Sequence, residues 1–367
     1  MNVRKLNRLV MALAAVVAVS ISPAVMANDS ASTSAGKFSD PLDSPSQLSE
    51  HVAQSLLMAI TRAGERLVAV GQRGHIIYSD DQGRSWVQAA VPVSSDLTSV
   101  YFVNKNSGWA VGHDGVILHS QDGGRRWSKQ LDGRQANHLL LNGMAPLRMR
   151  MLQDPRVDEL MSEVLRFNED GPDKPFLDVW FADENHGYAI GAYNLIFRTE
   201  DGGQNWISLF DKTDNPGFYH LNAVIGWDNE IYIAGEQGLL LRYDAESQRF
   251  VALDTPYIGS FFALAHSDHS LVAFGMRGNI YRSVNEGETW QRSKSETEAG
   301  FSDVVVLDSG YMVAVSQAGQ VLLSKDMGVS FKLLNVQASM PYSSITVAGD
   351  YSVAITGTRG VQIVRLP

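Results

Sequence analysis

Apolar positions in this chain come in short alternating runs broken by turn residues, and the runs recur on a fixed schedule. The clearest stretch reads LTSVYFV (Leu97–Val103), then Trp109–Gly112, Val116–Ser120 and Trp127–Gln130. Its β-branched and aromatic content predicts four short antiparallel strands, here lettered A to D. The same grammar returns in Gly64–Trp86, Ser107–Trp127, His186–Trp206, Asn229–Phe250, Ser270–Trp290, Ser309–Phe331 and Asp350–Pro367. The residues before each B–C turn are Gly71, Gly112, Gly191, Gly235, Gly275, Ser316 and Gly357, spaced 41, 79, 44, 40, 41 and 41 apart. Small sheets repeated at such a period close radially, so the expected fold is all-β, a seven-bladed β-propeller in one domain. The Gly-x-x-Gly at most B–C turns is expected to supply the positive φ angles of a tight hairpin.

A second signature lies between strands C and D: Ser79-x-Asp81-x-Gly83-x-Ser85-Trp86, Ser120-x-Asp122-x-Gly124-x-x-Trp127 and Thr199-x-Asp201-x-Gly203-x-x-Trp206. Degenerate copies are Ser283–Trp290 and Ser324–Phe331, while Tyr243–Phe250 barely keeps the pattern. It resembles the Asp-box, or BNR repeat. A short Asp accepts backbone N–H bonds inside the turn, Gly allows the curvature, and Trp is expected to pack between neighbouring blades. The turns lack the closing bidentate Glu of a calcium loop, so their expected role is structural.

The schedule breaks twice. The last copy stops after strand C, and Phe38–Gln47 is expected to close blade 7 as its missing outer strand, since an open edge invites aggregation. The 79-residue step carries a surplus of about 38, at Leu131–Pro175 between blades 2 and 3. There Asp154-Pro155 reads as a helix start, and Val157, Leu160, Met161, Val164 and Leu165 share one face. With Met144, Leu147, Met149 and Met151, this helical insert is Met-rich, which suits either a cap or an adaptable docking surface.

Composition then narrows compartment and chemistry. Residues 1–27 read as a cleaved signal peptide, leaving 28–367 as the mature domain: Arg4, Lys5 and Arg8 precede the apolar Leu9–Ser20, and Val25-Met26-Ala27 is a cleavage site. The expected location is the periplasm, with no membrane insertion after cleavage. The chain has no Cys, which removes thiol catalysis and thiolate metal sites. Its formal charge is −10, and loss of the three signal cations takes it to −13, which disfavours nucleic acid as partner. No metal or other cofactor is expected; His266-x-x-His269 has no carboxylate ligand nearby. No nucleophile elbow, phosphate loop or catalytic triad is visible.

Strand order places the B–C turns and the helical insert at one end of the ring. That end offers Arg73, His113, Asp114, Tyr193, Glu236, Arg277 and Arg359 as candidate binding residues. Arg73, Arg277 and Arg359 come from blades 1, 5 and 7 and are expected to converge at one side of the channel mouth. Guanidinium groups there would suit carboxylates through bidentate hydrogen bonds.

The repeat GWAVGxxGxILxSxDGGxxW, nearly intact at Gly108–Trp127 and recognisable at Gly187–Trp206, closely resembles that of the photosystem II stability/assembly factor family of BNR-like propellers. The resemblance covers roughly Ser55–Pro367. It implies a seven-bladed, lumenal or periplasmic, non-enzymatic factor that binds membrane-protein partners, with an arginine patch to which Arg73, Arg277 and Arg359 correspond. The Leu131–Pro175 insert departs from the photosynthetic pattern and points to a non-photosynthetic branch. The expected function is a protein-binding scaffold or assembly factor for a membrane or envelope complex. The alternative is a sialidase-type glycoside hydrolase using the three arginines, Tyr193 and Asp114. Against it, the Arg-Ile-Pro signature is absent and sialidase propellers have six blades.

Overall fold

The computed structural model describes residues 39–267, 270–336 and 340–367, so the signal-peptide reading, Phe38 and His269 lie outside the described residues. Residues Ser39–Pro367 form one compact unit. Seven sheets follow one another along the chain, six with at least four strands and the seventh with three. In blade 2 the strands are Leu97–Phe102, Gly108–Gly112, Ile117–Ser120 and Ser128–Leu131, each within a residue of the expected bounds. Blade 6 gains a fifth, parallel strand, Lys294–Ser295, from the linker leaving blade 5.

Strand B is buried along almost its whole length in every blade because it is sandwiched by both neighbouring blades. The Asp-box aromatics fill the seams, as expected. Trp127 of blade 2 packs with Val68 and Val70 of blade 1, Phe250 of blade 4 with Tyr188 of blade 3, and Phe331 with Val272 of blade 5. The box itself is a closed local network: Ser79 Oγ donates to Asp81 at 2.8 Å and accepts from Gly83 N–H at 2.8 Å. Ser85 donates its N–H and hydroxyl to the same carboxylate at 2.9 and 2.6 Å. The Ser85 hydroxyl leads these donors in lowering the Asp81 pKa to about 2.

The B–C turn refines the glycine argument. Its first glycine has extended φ and is required by close approach: a Cβ on Gly112 would sit 2.1 Å from the Asp96 carbonyl oxygen. The positive φ falls on the last glycine, such as Gly115 at 63°, and on the side-chain-bearing residue before it. Replacement of Gly112 by alanine is expected to cost about 1–3 kcal/mol in urea unfolding, because one backbone must be pushed away from another. An unchanged midpoint would show that the turn relaxes freely.

Ring closure differs from expectation. Residues 39–47 form no strand in blade 7. Pro41–Asp43 make a 3-10 turn on blades 1 and 2, where Leu42 is buried with Val68 and Val91, and Ser46 N–H donates to the Val91 carbonyl at 3.1 Å. The physical reason is charge and burial together: Asp40 and Asp43 pair with Arg134 of the insert at 2.7 and 2.9 Å, and Leu42 enters the core. Closure comes instead from blades 1 and 7 packing side by side, with Leu57, Ile60 and Ala69 against Ala348 and Ala354. Among the described residues the outer strand of blade 7 is Gly360–Arg365.

The innermost strands line a central channel cavity of about 160 Å³. Every one carries a β-bulge near its start. A bulge releases backbone groups from the ladder, and polar side chains of the neighbouring blade take them up. Asp178 of blade 3 accepts from Ser99 of blade 2 at 2.7 Å and from Val224 N–H of blade 4 at 2.8 Å. Asp303 of blade 6 accepts from Ser344 and Ile345 N–H of blade 7, at 2.6 and 3.0 Å.

Candidate binding face

The helical insert is two helices, α1 (Gly133–Arg150) and α2 (Pro155–Asp170), between blades 2 and 3. Asp154 caps α2 as expected, accepting from Arg156 N–H at 2.9 Å, and Val157, Leu160, Val164 and Phe167 are buried. Leu165, placed on the apolar face by spacing, is 42% exposed; Phe167 holds the packing position instead. The first helix was not legible as one. Asp132 and Gln135 form a reciprocal capping box at its start, and Pro146 lies inside it. Among the methionines, Met144 is buried between the helices, whereas Met149 and Met151 project from the tip beside Leu152.

The insert is fastened at both ends. Arg134 is held by the Asp43 and Asp40 carboxylates, which raise its pKa further. Arg156 donates to the Thr213 carbonyl oxygen at 2.9 Å, and Asn137 donates to the Phe167 and Gly171 carbonyls at 3.0 Å each. The first turn of α1 abuts the blade 2 B–C turn, where a Cβ on Gly115 would meet Gly133 at 2.6 Å. Insert and B–C turns therefore share one end, as strand order implies.

On that end the structure gathers one part of the expected set. Tyr193, 39% exposed, lies edge-on to Phe167 of α2 and to His220, at 6.2 and 4.6 Å between ring centres. The Arg166 guanidinium and Lys174 ammonium sit 5.4 and 5.9 Å from its ring centre. Glu236 accepts from His220 N–H at 3.0 Å, so Tyr193, His220 and Glu236 form one line across blades 3 and 4. Lys174 is buried, which pulls its pKa down, yet bonds to Asp173 and Asp170 carry it above the ordinary value. Sequence reasoning missed Lys174 and His220, whose roles depend on packing against the insert.

Arg73, Arg277, Arg359 and His113 are exposed, and among the described residues none of the three guanidiniums is in an ion pair. Arg73 is held through its backbone, its N–H donating to Asp96 at 2.7 Å and its carbonyl accepting from Ser46 at 2.9 Å. Arg73, Asp114, Tyr193 and Arg277 all occupy the left-handed region, with φ of 55°, 57°, 53° and 55°. Such backbone costs about 1–3 kcal/mol for a side-chain-bearing residue. Asp114 is engaged by the Ser95 hydroxyl at 2.6 Å. A sialidase constellation is not formed: the ring has seven blades, and Tyr193 is flanked by the insert and His220 rather than by the three arginines.

A family model described as photosynthesis system II assembly factor YCF48 matches residues 25–121 and 165–339, leaving out the first helix of the insert and most of the second. The chain belongs to that family. It is 28% identical over 192 residues to the photosystem II assembly lipoprotein Ycf48 of Synechococcus sp. (strain CC9902), covering 51% of this chain and 57% of the relative. It is 27% identical over 201 residues to the chloroplastic photosystem II stability/assembly factor HCF136 of Arabidopsis thaliana, covering 47% and 50%. The chain thus spans about half the length of the curated relatives it matches. A solved structure titled YCF48 bound to D1 peptide superposes with a TM-score of 0.62 at 16% identity, covering 86% of this chain and 94% of that one. At that identity the likeness carries the propeller fold alone. No helix among the described residues is long and apolar enough to cross a membrane.

Proposed function

We propose that this protein is a non-enzymatic, exported scaffold that binds a membrane or envelope protein and supports its assembly or stability. One observation carries the reading: a rigidly fastened helical insert stands beside strained turns that project unpaired arginines from an acidic chain. Membership of an assembly-factor family supports protein as the partner class, and the structural neighbour YCF48 was solved bound to a D1 peptide. The signal-like leader supports the periplasm as its compartment. The turns that carry Arg73 and Arg277 are already set in the left-handed region, so binding has to order only the side chains, at about 0.5–1.5 kcal/mol each. Carboxylate-bearing polypeptide is the ligand chemistry they suit best.

The test is affinity capture from a detergent-solubilised envelope fraction, comparing wild type with the Arg73→Ala, Arg277→Ala, Arg359→Ala triple variant. All three side chains are exposed, so folding should be unaffected. The wild type is expected to retain a membrane protein that the triple variant loses at least tenfold. Equal retention by both, or capture of no membrane protein by the wild type, would count against the reading.

A further inference from the structure

In six blades the turn between the third and fourth strands delivers an aromatic ring to the seam with the preceding blade: Trp86, Trp127, Trp206, Phe250, Trp290 and Phe331. At blade 7 the corresponding place is an open groove of about 450 Å³. Leu307 and Leu323 of blade 6 and Val347 and Leu366 of blade 7 form its apolar wall, with Tyr311 and Tyr351 alongside. Val347 holds the register position that Phe102 and Phe181 hold in blades 2 and 3. Those two rings lie edge-on to Trp127 and Trp206, at 5.8 and 6.1 Å between centres. The blade 7 seam therefore has a smaller side chain and more room where blades 2 and 3 hold an aromatic pair, and unlike blade 6, whose Val306 sits at the same position with Phe331 in its seam, it has no aromatic ring of its own among the described residues.

Beside this groove runs the outer strand Gly360–Arg365, paired on one side only among the described residues. Ile363 on it is 40% exposed, and Tyr351 at the groove is 69% exposed. The groove is apolar on that wall and polar on its rim, where Arg62, Glu65, Asp308, Lys325 and Asp350 stand. An unpaired strand edge next to a part-apolar socket is the geometry of strand addition, in which backbone bonds supply affinity and the socket supplies specificity.

We infer that blade 7 accepts an extended segment of another protein as its fourth strand, with a Trp or Phe of that segment seated between Leu323 and Val347. The occupant's chemistry follows from the repeat, because all six sibling seams are completed by an aromatic residue leading into a short outer strand. A second copy of this chain fits less well. The strand Gly360–Arg365 carries no aromatic ring, so edge-to-edge pairing of two copies would leave the socket unfilled. The inference rests on the protein-binding reading but uses the opposite end of the blades. The groove is lined by the A–B loops, Leu307–Tyr311 and Gly349–Ser352, whereas the arginines occupy B–C turns.

The probe is a labelled peptide copying Ser120–Leu131, the blade 2 turn and outer strand of this same chain. Titration by fluorescence anisotropy should show saturable binding, and hydrogen exchange should slow at Gly360–Arg365. Alanine in place of the peptide's tryptophan is expected to weaken binding at least tenfold. Val347→Glu should do the same by placing a carboxylate in the socket. Ile363→Lys, which charges the unpaired edge at a side chain that also lies against Gly83 of blade 1, should weaken it tenfold while leaving the urea midpoint unchanged. The arginine triple variant should bind the peptide as wild type does, which separates failure here from failure of the arginine reading. Absence of saturable binding, protection away from blade 7, or indifference to the aromatic ring would overturn the inference. So would self-association of the protein through the same edge.

Discussion

Trp109→Ala is expected to destabilise the ring by about 3–5 kcal/mol in urea unfolding, more than any other single truncation between blades 2 and 3. Trp109 is fully buried at the seam of these blades. Its indole stacks on Phe181 of blade 3 at 3.4 Å between centres, 8° from parallel, and on His119 of its own blade at 4.6 Å. Alanine would therefore remove the middle of a three-ring column that joins two blades and leave a cavity the flanking strands cannot close. A second substitution sharpens the argument. Among the described residues the indole N–H is buried with no acceptor, a state that costs about 1–3 kcal/mol. Trp109→Phe gives up part of the stacked area but also removes that unpaired donor, so its net cost should be about 1 kcal/mol or less. Equal losses for Phe and Ala would show that the ring face contributes little and that the N–H is satisfied.

Why much of this was legible in the sequence, and some not, follows from the range of the interactions involved. Strand bounds in blade 2 could be read to within a residue because alternation, turn glycines and Asp-box chemistry all act over a few residues. The seam position of Trp127 was legible for the same reason, since a period of about forty residues forces equivalent side chains into equivalent places. The helix α1 was missed because its buried residues, Ala136, Asn137, Leu140 and Met144, include a polar side chain and its interior includes Pro146. Its stability comes from Asp132 capping and from Arg134 contacts with residues about ninety positions away, which no local pattern reports. The same long-range pairing explains the N-terminal segment. Nothing in Asp40–Asp43 states that its two carboxylates belong with Arg134 rather than beside blade 7. At the candidate face, strand order placed the insert and B–C turns together correctly. The gathering of Tyr193 with His220, Phe167 and Lys174 depends on side-chain packing between elements. Spacing alone cannot supply that.

The channel carboxylates should make stability respond to pH in the sense opposite to ordinary acid denaturation. Burial is the leading cause that raises Asp178 from 3.8 to about 6, against the bonds from Val224, Ser99 and Val179; the negative charge of Asp303 adds to the rise. Asp303 is raised by burial as well. A carboxyl whose folded pKa exceeds its unfolded value binds protons more tightly in the folded state. Its contribution is therefore fully present below pH 3.8 and is lost as pH rises through about 6. The difference corresponds to about 3 kcal/mol from Asp178 across the whole range. Two histidines oppose it within the same window: burial lowers His75 and His119, so their contribution falls as pH drops through 6.5. The Asp-box carboxylates, held below their ordinary values by turn hydrogen bonds, act only in stronger acid. The decisive quantity is thus the difference between wild type and Asp178→Asn, measured as urea midpoints from pH 7.5 to pH 5. Asparagine can still accept from Ser99 and Val179, but its amide nitrogen opposes the Val224 N–H, so the variant should be less stable at pH 5. Because it lacks the titration, its deficit should shrink by about 1–2 kcal/mol at pH 7.5, where wild type must hold a buried charge. A deficit independent of pH would mean that Asp178 ionises in the channel as freely as in water, with solvent rather than the neighbouring blades supplying its partners.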